Sequence, residues 1–156
     1  MKRKTTNALY LADRQGLPLA MSEPVAGNHN DLYEIEVQFE VVTATLKDAD
    51  IRTEGLFLNT DAGFDSKDFR KSCFKKGINA NICFNKRNGD ADRDEYFDQE
   101  LYDKRFAVER TNAWMDSYRS LLNRFDTTNE SWEGFNYLAF MVIALKKIKK
   151  KNKEKV

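Results

Sequence analysis

Apolar and polar positions alternate in blocks along the chain, and each change of block marks an expected element. Residues 8–12, Ala-Leu-Tyr-Leu-Ala, and residues 17–21, Leu-Pro-Leu-Ala-Met, are short apolar runs on either side of Asp13-Arg14-Gln15-Gly16. Two such runs around a glycine-containing turn predict a β-hairpin, which Pro24 and Gly27 end. Leu32, Ile35, Val37, Phe39, Val42 and Leu46 then recur at broadly helical spacing. A helix is expected there, running to residue 48, with Asn30 or Asp31 as its cap and Glu34 and Glu36 near its positive end. Residues 55–60, Gly-Leu-Phe-Leu-Asn-Thr, read as a buried strand that ends in the turn Asp61-Ala62-Gly63. A short helix is expected over 66–75, stopped by Gly77, and another strand over 78–84. Residues 85–98 are polar and acidic with an Asn88-Gly89 turn, a loop or insertion. Two long helices follow, over 106–125 and 131–150. Strands interleaved with helices make an α/β sandwich, with no internal repeat and no domain boundary.

A chain of 156 residues suits one domain, and 41% hydrophobic residues suffice for a core. The net charge of +1 gives no global basic field, but the distribution is uneven. Residues 146–155 are lysine-rich and residues 90–100 acidic. The lysines lack interleaved aromatics, so they are either a solvated helix end or a contact to nucleic-acid phosphates. Cys73 and Cys83 form no Cys-x-x-Cys pair and His29 is the only histidine. A structural zinc site needs about four Cys or His ligands, so zinc is not expected. The two cysteines read as buried thiols that fit a reducing cytosol. Lys2-Arg3-Lys4 is followed by Thr5, Thr6 and Asn7 and not by an apolar secretory core. The longest apolar run, 137–145, is far short of the ~20 residues of a membrane span. A soluble, cytoplasmic protein with no membrane partner is expected.

Two acidic residues are candidates for chemistry. Asp61 follows an apolar strand and precedes Ala62-Gly63, so its carboxylate is expected at the strand's C-terminal edge, where open α/β sheets place their sites. A turn aspartate bonding its own backbone explains the same pattern. Glu109 lies in Arg105-Phe106-Ala107-Val108-Glu109-Arg110-Thr111-Asn112-Ala113-Trp114 on an expected helix. An exposed glutamate paired with Arg105 four residues earlier is the plainer account.

Four segments, in order, resemble the DDE transposases of bacterial insertion sequences. They are Leu11-Ala-Asp-Arg-Gln-Gly-Leu-Pro-Leu19, Ala26-Gly-Asn-His-Asn-Asp31, Leu58-Asn-Thr-Asp-Ala-Gly-Phe-Asp65 and Tyr102-Asp-Lys-Arg-Phe-Ala-Val-Glu-Arg-Thr-Asn-Ala-Trp114, the last continued by Ser120-Leu-Leu-Asn-Arg-Phe125. Each is weak alone; together they cover almost the whole chain. The resemblance implies an α/β, ribonuclease-H-like mixed sheet flanked by helices. Residues 1–145 would be a partial catalytic domain and residues 146–156 a basic tail. It places the second metal carboxylate at Asp61 and the third at Glu109. Arg105 would contact the DNA backbone, and Tyr102 would support the site or the DNA. The family's basic residue seven positions after the glutamate is Asp116 here, a departure for which Arg119 is the candidate substitute. His29 and Asp31 would lie beside the site. The family's first strand, central in its sheet and bearing the first carboxylate, has no counterpart: no Asp precedes Asp13, which falls in the hairpin turn.

The resemblance further implies two Mg²⁺ or Mn²⁺ ions held by three carboxylates. They would serve strand cleavage and strand transfer at the element's terminal inverted repeats and in target DNA. Without the first carboxylate, no independent cleavage is expected, and the unpaired strands imply self-association. A catalytically inactive remnant that at most binds DNA is the competing reading. A third is an unrelated α/β interaction domain, which a wide separation of Asp61 and Glu109 would favour.

Overall fold

The computed structural model of the chain describes residues 6–88, 96–124 and 126–153. The basic start of the chain, the Gly89 half of the Asn88-Gly89 turn, acidic residues 90–95, Phe125 and the last three residues of the lysine-rich tail lie outside them.

The first unit is one long antiparallel hairpin. Strand β2 (Tyr10–Ala12) pairs with β3 (Pro18–Met21), and the outer pair β1 (Thr6–Asn7) and β4 (Val25–Ala26) prolongs the same ladder. Between the two pairs, the Ser22 hydroxyl accepts from the Leu9 amide at 2.9 Å, and the Ser22 amide donates to the Leu9 carbonyl at 3.0 Å. At the tip, Asp13 Oδ1 accepts from the Gln15 and Leu17 amides, each at 2.8 Å, and Gly16 takes φ +80°. That conformation, and the Ala107 carbonyl 2.5 Å from where a Gly16 Cβ would stand, leave room only for glycine. Asp13 is thus committed to the turn.

The second unit is built around a parallel pair of strands. Helix α1 (Ile35–Asp48) precedes β5 (Phe57–Thr60), which pairs in parallel with β6 (Asn79–Ile82) through helix α2 (Lys67–Lys75). Ser66 caps α2 by accepting from the Phe69 amide at 3.0 Å. Neither Asn30 nor Asp31 caps α1. Its N-cap is Glu34 at φ 49°, ψ 29°, with no side-chain bond to the helix, so the helix starts three or four residues later than expected.

Among the described residues, the strands of the expected mixed sheet form three two-stranded pieces, two antiparallel and one parallel. Among the described residues, nothing hydrogen-bonds the hairpin to β5 or β6. What unites them is side-chain packing. Alternate residues of a strand face opposite sides, and the hairpin uses both. Leu9 packs on the cluster of Ile35, Phe39, Phe69, Cys73, Ile78 and Ile82, against which Leu58 of β5 also packs. Ala8, Tyr10 and Met21 face the other cluster, made with Met115, Leu121, Trp132, Ala139, Phe140 and Ile143. Burial pushes the Cys73 thiol up to about 12, so it is an inert core residue.

The C-terminal third is helical: α3 (Gln99–Asp103), a 3-10 turn, α4 (Ala107–Asp116), α5 (Arg119–Leu122) and α6 (Asn129–Lys153). The expected helix over 106–125 is broken. Ser117 Oγ donates to the Trp114 carbonyl at 2.6 Å, and Tyr118 is extended at φ −94°, ψ 99°. Such a side-chain bond competes with the helical ladder. Helix α6 is longer than expected, at 25 residues or about 37 Å. It runs through most of the lysine-rich segment without a break. No helix among the described residues is long and apolar enough to cross a membrane.

Tyr10 joins hairpin to α6: its hydroxyl donates to Asn136 Oδ1 at 2.7 Å, and Asn136 is fully buried. Burial, and secondarily the Asp116 charge, raise the Tyr10 phenol to about 12. The folded chain therefore keeps a proton that the unfolded chain releases near 10, and stability falls as pH rises from about 10 to about 12. Tyr10→Phe should flatten that alkaline decline. At neutral pH it should cost about 1–3 kcal/mol, because Asn136 loses its donor. Urea unfolding across pH checks both.

Candidate active site

The site is built on the loop that leaves β5. Asp61 is extended at φ −78°, ψ 179°, and its Oδ1 accepts from the Gly63 amide at 2.8 Å, capping a single 3-10 turn. This is the behaviour of a turn aspartate, yet the side chain stays exposed at the strand's C-terminal end. Gly63 lies between two carboxylates. A Cβ built there would stand 2.4 Å from Asp31 Oδ2 and 3.0 Å from Asp61 Oδ1. Asp31 reaches this point because it is not spent on capping α1. Residues from separate segments thus bring two exposed carboxylates to one small notch that only a missing side chain keeps open. In the residue before Asp61, the buried Thr60 Oγ1 has no hydrogen-bond partner.

A buried ion pair fixes the loop. Asp65 is 1% exposed, and its Oδ1 accepts from Arg70 Nε at 3.1 Å and Nη2 at 2.9 Å. Its Oδ2 accepts from the Asn85 amide at 2.8 Å, and Arg70 Nη2 also donates to the Ile82 carbonyl at 2.9 Å. Arg70 lies 5.4 Å from the centre of the Phe84 ring. One carboxylate therefore joins the loop after β5, helix α2 and the end of β6, and Asp65 is unavailable as a ligand.

A second set of bonds holds α3 across the parallel pair. Asn81 Nδ2 donates to Asn59 Oδ1 at 2.8 Å and to the Asp98 carbonyl at 3.0 Å, while its Oδ1 accepts from the Asp98 amide at 2.8 Å. Asp98 caps α3 at the Leu101 amide, and Asn59 Nδ2 donates to the Leu101 carbonyl. This positions Tyr102 and Arg105. Tyr102 packs on Phe97 at 5.2 Å, and Arg105 lies 5.0 Å from both the Tyr102 and Phe106 rings. The Tyr102 phenol is raised by burial, then by the neighbouring Cys83, with Arg105 opposing. Arg105 Nε is buried with no hydrogen-bond partner.

Glu109 is exposed in the first turn of α4, on the face opposite Ala107, Thr111 and Met115. That helix is seated on the hairpin: Thr111 Oγ1 donates to the Gly16 carbonyl at 2.7 Å. Arg119 is exposed at the start of α5. The His29 ring stacks on Tyr33, with centroids 3.6 Å apart and planes at 14°, a packing role. The structure thus joins Asp31 with Asp61, and Tyr102 with Arg105. Among the described residues, no three His, Cys, Asp or Glu side chains form a group able to hold a metal ion, so Glu109 does not complete a triad with Asp31 and Asp61. Two carboxylate donors suit a hard ion such as Mg²⁺ or Mn²⁺, which binds through one or two carboxylates and keeps waters.

Sequence reasoning missed α3 and the amide strap. Asp98 three residues before Leu101 was the available capping signal. The role of Gly63 carried no signal, since it depends on a carboxylate from another segment.

A family model described as a transposase DDE domain matches residues 58–146, more than half of the chain. No curated protein and no solved structure is significantly similar to it.

Asp65→Ala should destabilise the fold by about 3–5 kcal/mol, because it leaves Arg70 buried without its carboxylate. Guanidinium unfolding of the variant measures the loss, and a loss below about 1 kcal/mol would refute the role given to this pair.

Proposed function

Because the chain belongs to the transposase DDE domain family, we propose that its work is DNA strand cleavage and strand transfer at insertion-sequence ends. Asp61 and Glu109 are the family-type metal carboxylates in this reading, and Asp31 assists Asp61. The observation that carries it is the convergence of Asp31 and Asp61 on Gly63, directly after a parallel strand. A bound Mg²⁺ or Mn²⁺ would activate an attacking water or 3′-hydroxyl and neutralise charge on the leaving oxygen. The chain's own residues do the rest. The Asp65–Arg70 pair holds the carboxylate loop, and Arg105, set between the Tyr102 and Phe106 rings, binds a DNA phosphate beside Tyr102. Arg119 and the lysines of α6 add phosphate contacts that steady the duplex without reading bases.

The hairpin and the parallel pair are read as two parts of a ribonuclease-H-like sheet, with no strand between them among the described residues. Support comes from Leu9 and Leu58, which pack on one cluster although the hairpin and β5 are not paired. A strand between them would carry the first carboxylate. A second reading, an inactive relative that only binds DNA, is favoured by the lack of a three-ligand group among the described residues.

Mn²⁺ titration calorimetry and a supercoiled-plasmid nicking assay test these statements together. Mn²⁺ should bind, with affinity reduced about tenfold or more in Asp61→Asn and in Asp31→Asn. The chain alone should leave the plasmid intact. Nicking that disappears in both Asp61→Ala and Glu109→Ala would show the site to be complete, against the absent-strand reading. Failure to bind Mn²⁺ would leave the DNA-binding relative.

A further inference from the structure

The turn that presents Asp31 carries more than a carboxylate. His29 and Tyr33 stand two residues before and two residues after it, and their rings stack with centroids 3.6 Å apart and planes at 14°. The backbone is folded on both sides of the rings. The His29 amide donates to the Ala26 carbonyl at 3.3 Å, and the Tyr33 amide to the Asn30 carbonyl at 3.0 Å. Gln38 Nε2 donates to the Tyr33 carbonyl at 2.6 Å and ties this turn to α1. Packing on Tyr33 accounts for one face of the imidazole only. His29 is exposed, and among the described residues its one ring neighbour is Tyr33. Two residues span at most about 7 Å of chain. Both ring-bearing residues are therefore within that reach of Asp31, whose carboxylate stands with that of Asp61 at Gly63.

We propose that the outer face of the His29–Tyr33 stack receives one unpaired nucleobase of the DNA strand whose phosphate is bound at the Asp31–Asp61 notch. The proposal rests on the reading of that notch as an ion site acting on DNA, and it adds the feature of the DNA that is recognised there. The rings offer flat area, and the part of a nucleotide that such area suits is the base. Inside a duplex both faces of a base are covered by its neighbours, so only a base that has left the helix can lie on His29. The substrate is thus DNA opened at the nucleotide beside the bound phosphate. Every base has a π-face, so the stack selects the opened state and not a sequence.

Fluorescence of 2-aminopurine tests this. Two DNA hairpins are titrated with the full chain in Mg²⁺. One carries 2-aminopurine as a single unpaired nucleotide at the open end of its stem, and the other carries it paired within the stem. The unpaired probe is expected to be quenched on binding and to bind about tenfold more tightly than the paired one. His29→Ala, at an exposed position, should abolish both the quenching and the preference. Its circular dichroism spectrum and its Mn²⁺ affinity by calorimetry should be unchanged. His29→Phe, which keeps a flat ring, should retain quenching and preference. Equal binding of the two probes by the unaltered chain overturns the proposal. So does a His29→Ala variant that loses Mn²⁺ affinity together with the quenching, since the stack would then serve only to support Asp31. A chain that binds Mn²⁺ without quenching the unpaired probe refutes the stack and leaves the ion site standing. A chain that quenches the probe but binds no Mn²⁺ refutes the ion site and upholds the stack.

Discussion

Everything proposed for the site depends on the buried bond between Asp65 and Arg70. A carboxylate that is 1% exposed is tolerated only when its charge and lone pairs are satisfied. Here that requirement draws together a helix, a strand end and a loop. Arg70 comes from α2, the Ile82 carbonyl from β6, and the Asn85 amide from the segment beyond it. The loop between β5 and α2 is tied down at Asp65, four residues after Asp61, whose own Oδ1 meets the Gly63 amide. Preorganisation of this sort lets a small site act without rearrangement.

The hairpin plays the corresponding part for the body. Its two faces feed two different cores, Leu9 one and Tyr10 the other, so it links the helices packed in the second core to the parallel pair, while α3 is strapped to that pair directly. The backbone ladders do not make that connection. Gly16 belongs to the same joint, since only a residue without Cβ lets α4 approach the turn so closely.

The hairpin, the parallel pair, α1, α2 and α6 are legible in the sequence, because apolar periodicity and Gly or Asp turns report burial directly. Asp61 is legible as a strand-end carboxylate for the same reason. The break at Ser117 and Tyr118 is not, because it arises from a hydroxyl-to-carbonyl bond in a stretch with no Gly or Pro. Asp31 reads as a helix cap from its neighbours and as site-adjacent from the family resemblance; that its carboxylate stands at Gly63 together with that of Asp61 is visible only in three dimensions. The Asn59–Asn81–Asp98 strap escapes for a like reason. Polar residues within strands give no hint that they satisfy one another across the sheet.

The central claim is that the notch at Gly63 is an ion site shared by Asp31 and Asp61. The most direct measurement is the anomalous scattering of manganese in crystals grown with Mn²⁺. The expected result is a peak within about 2.0–2.3 Å of an oxygen from each of the two carboxylates. A saturated crystal with no peak there, or with its peaks only among the acidic residues of 90–100, would contradict it.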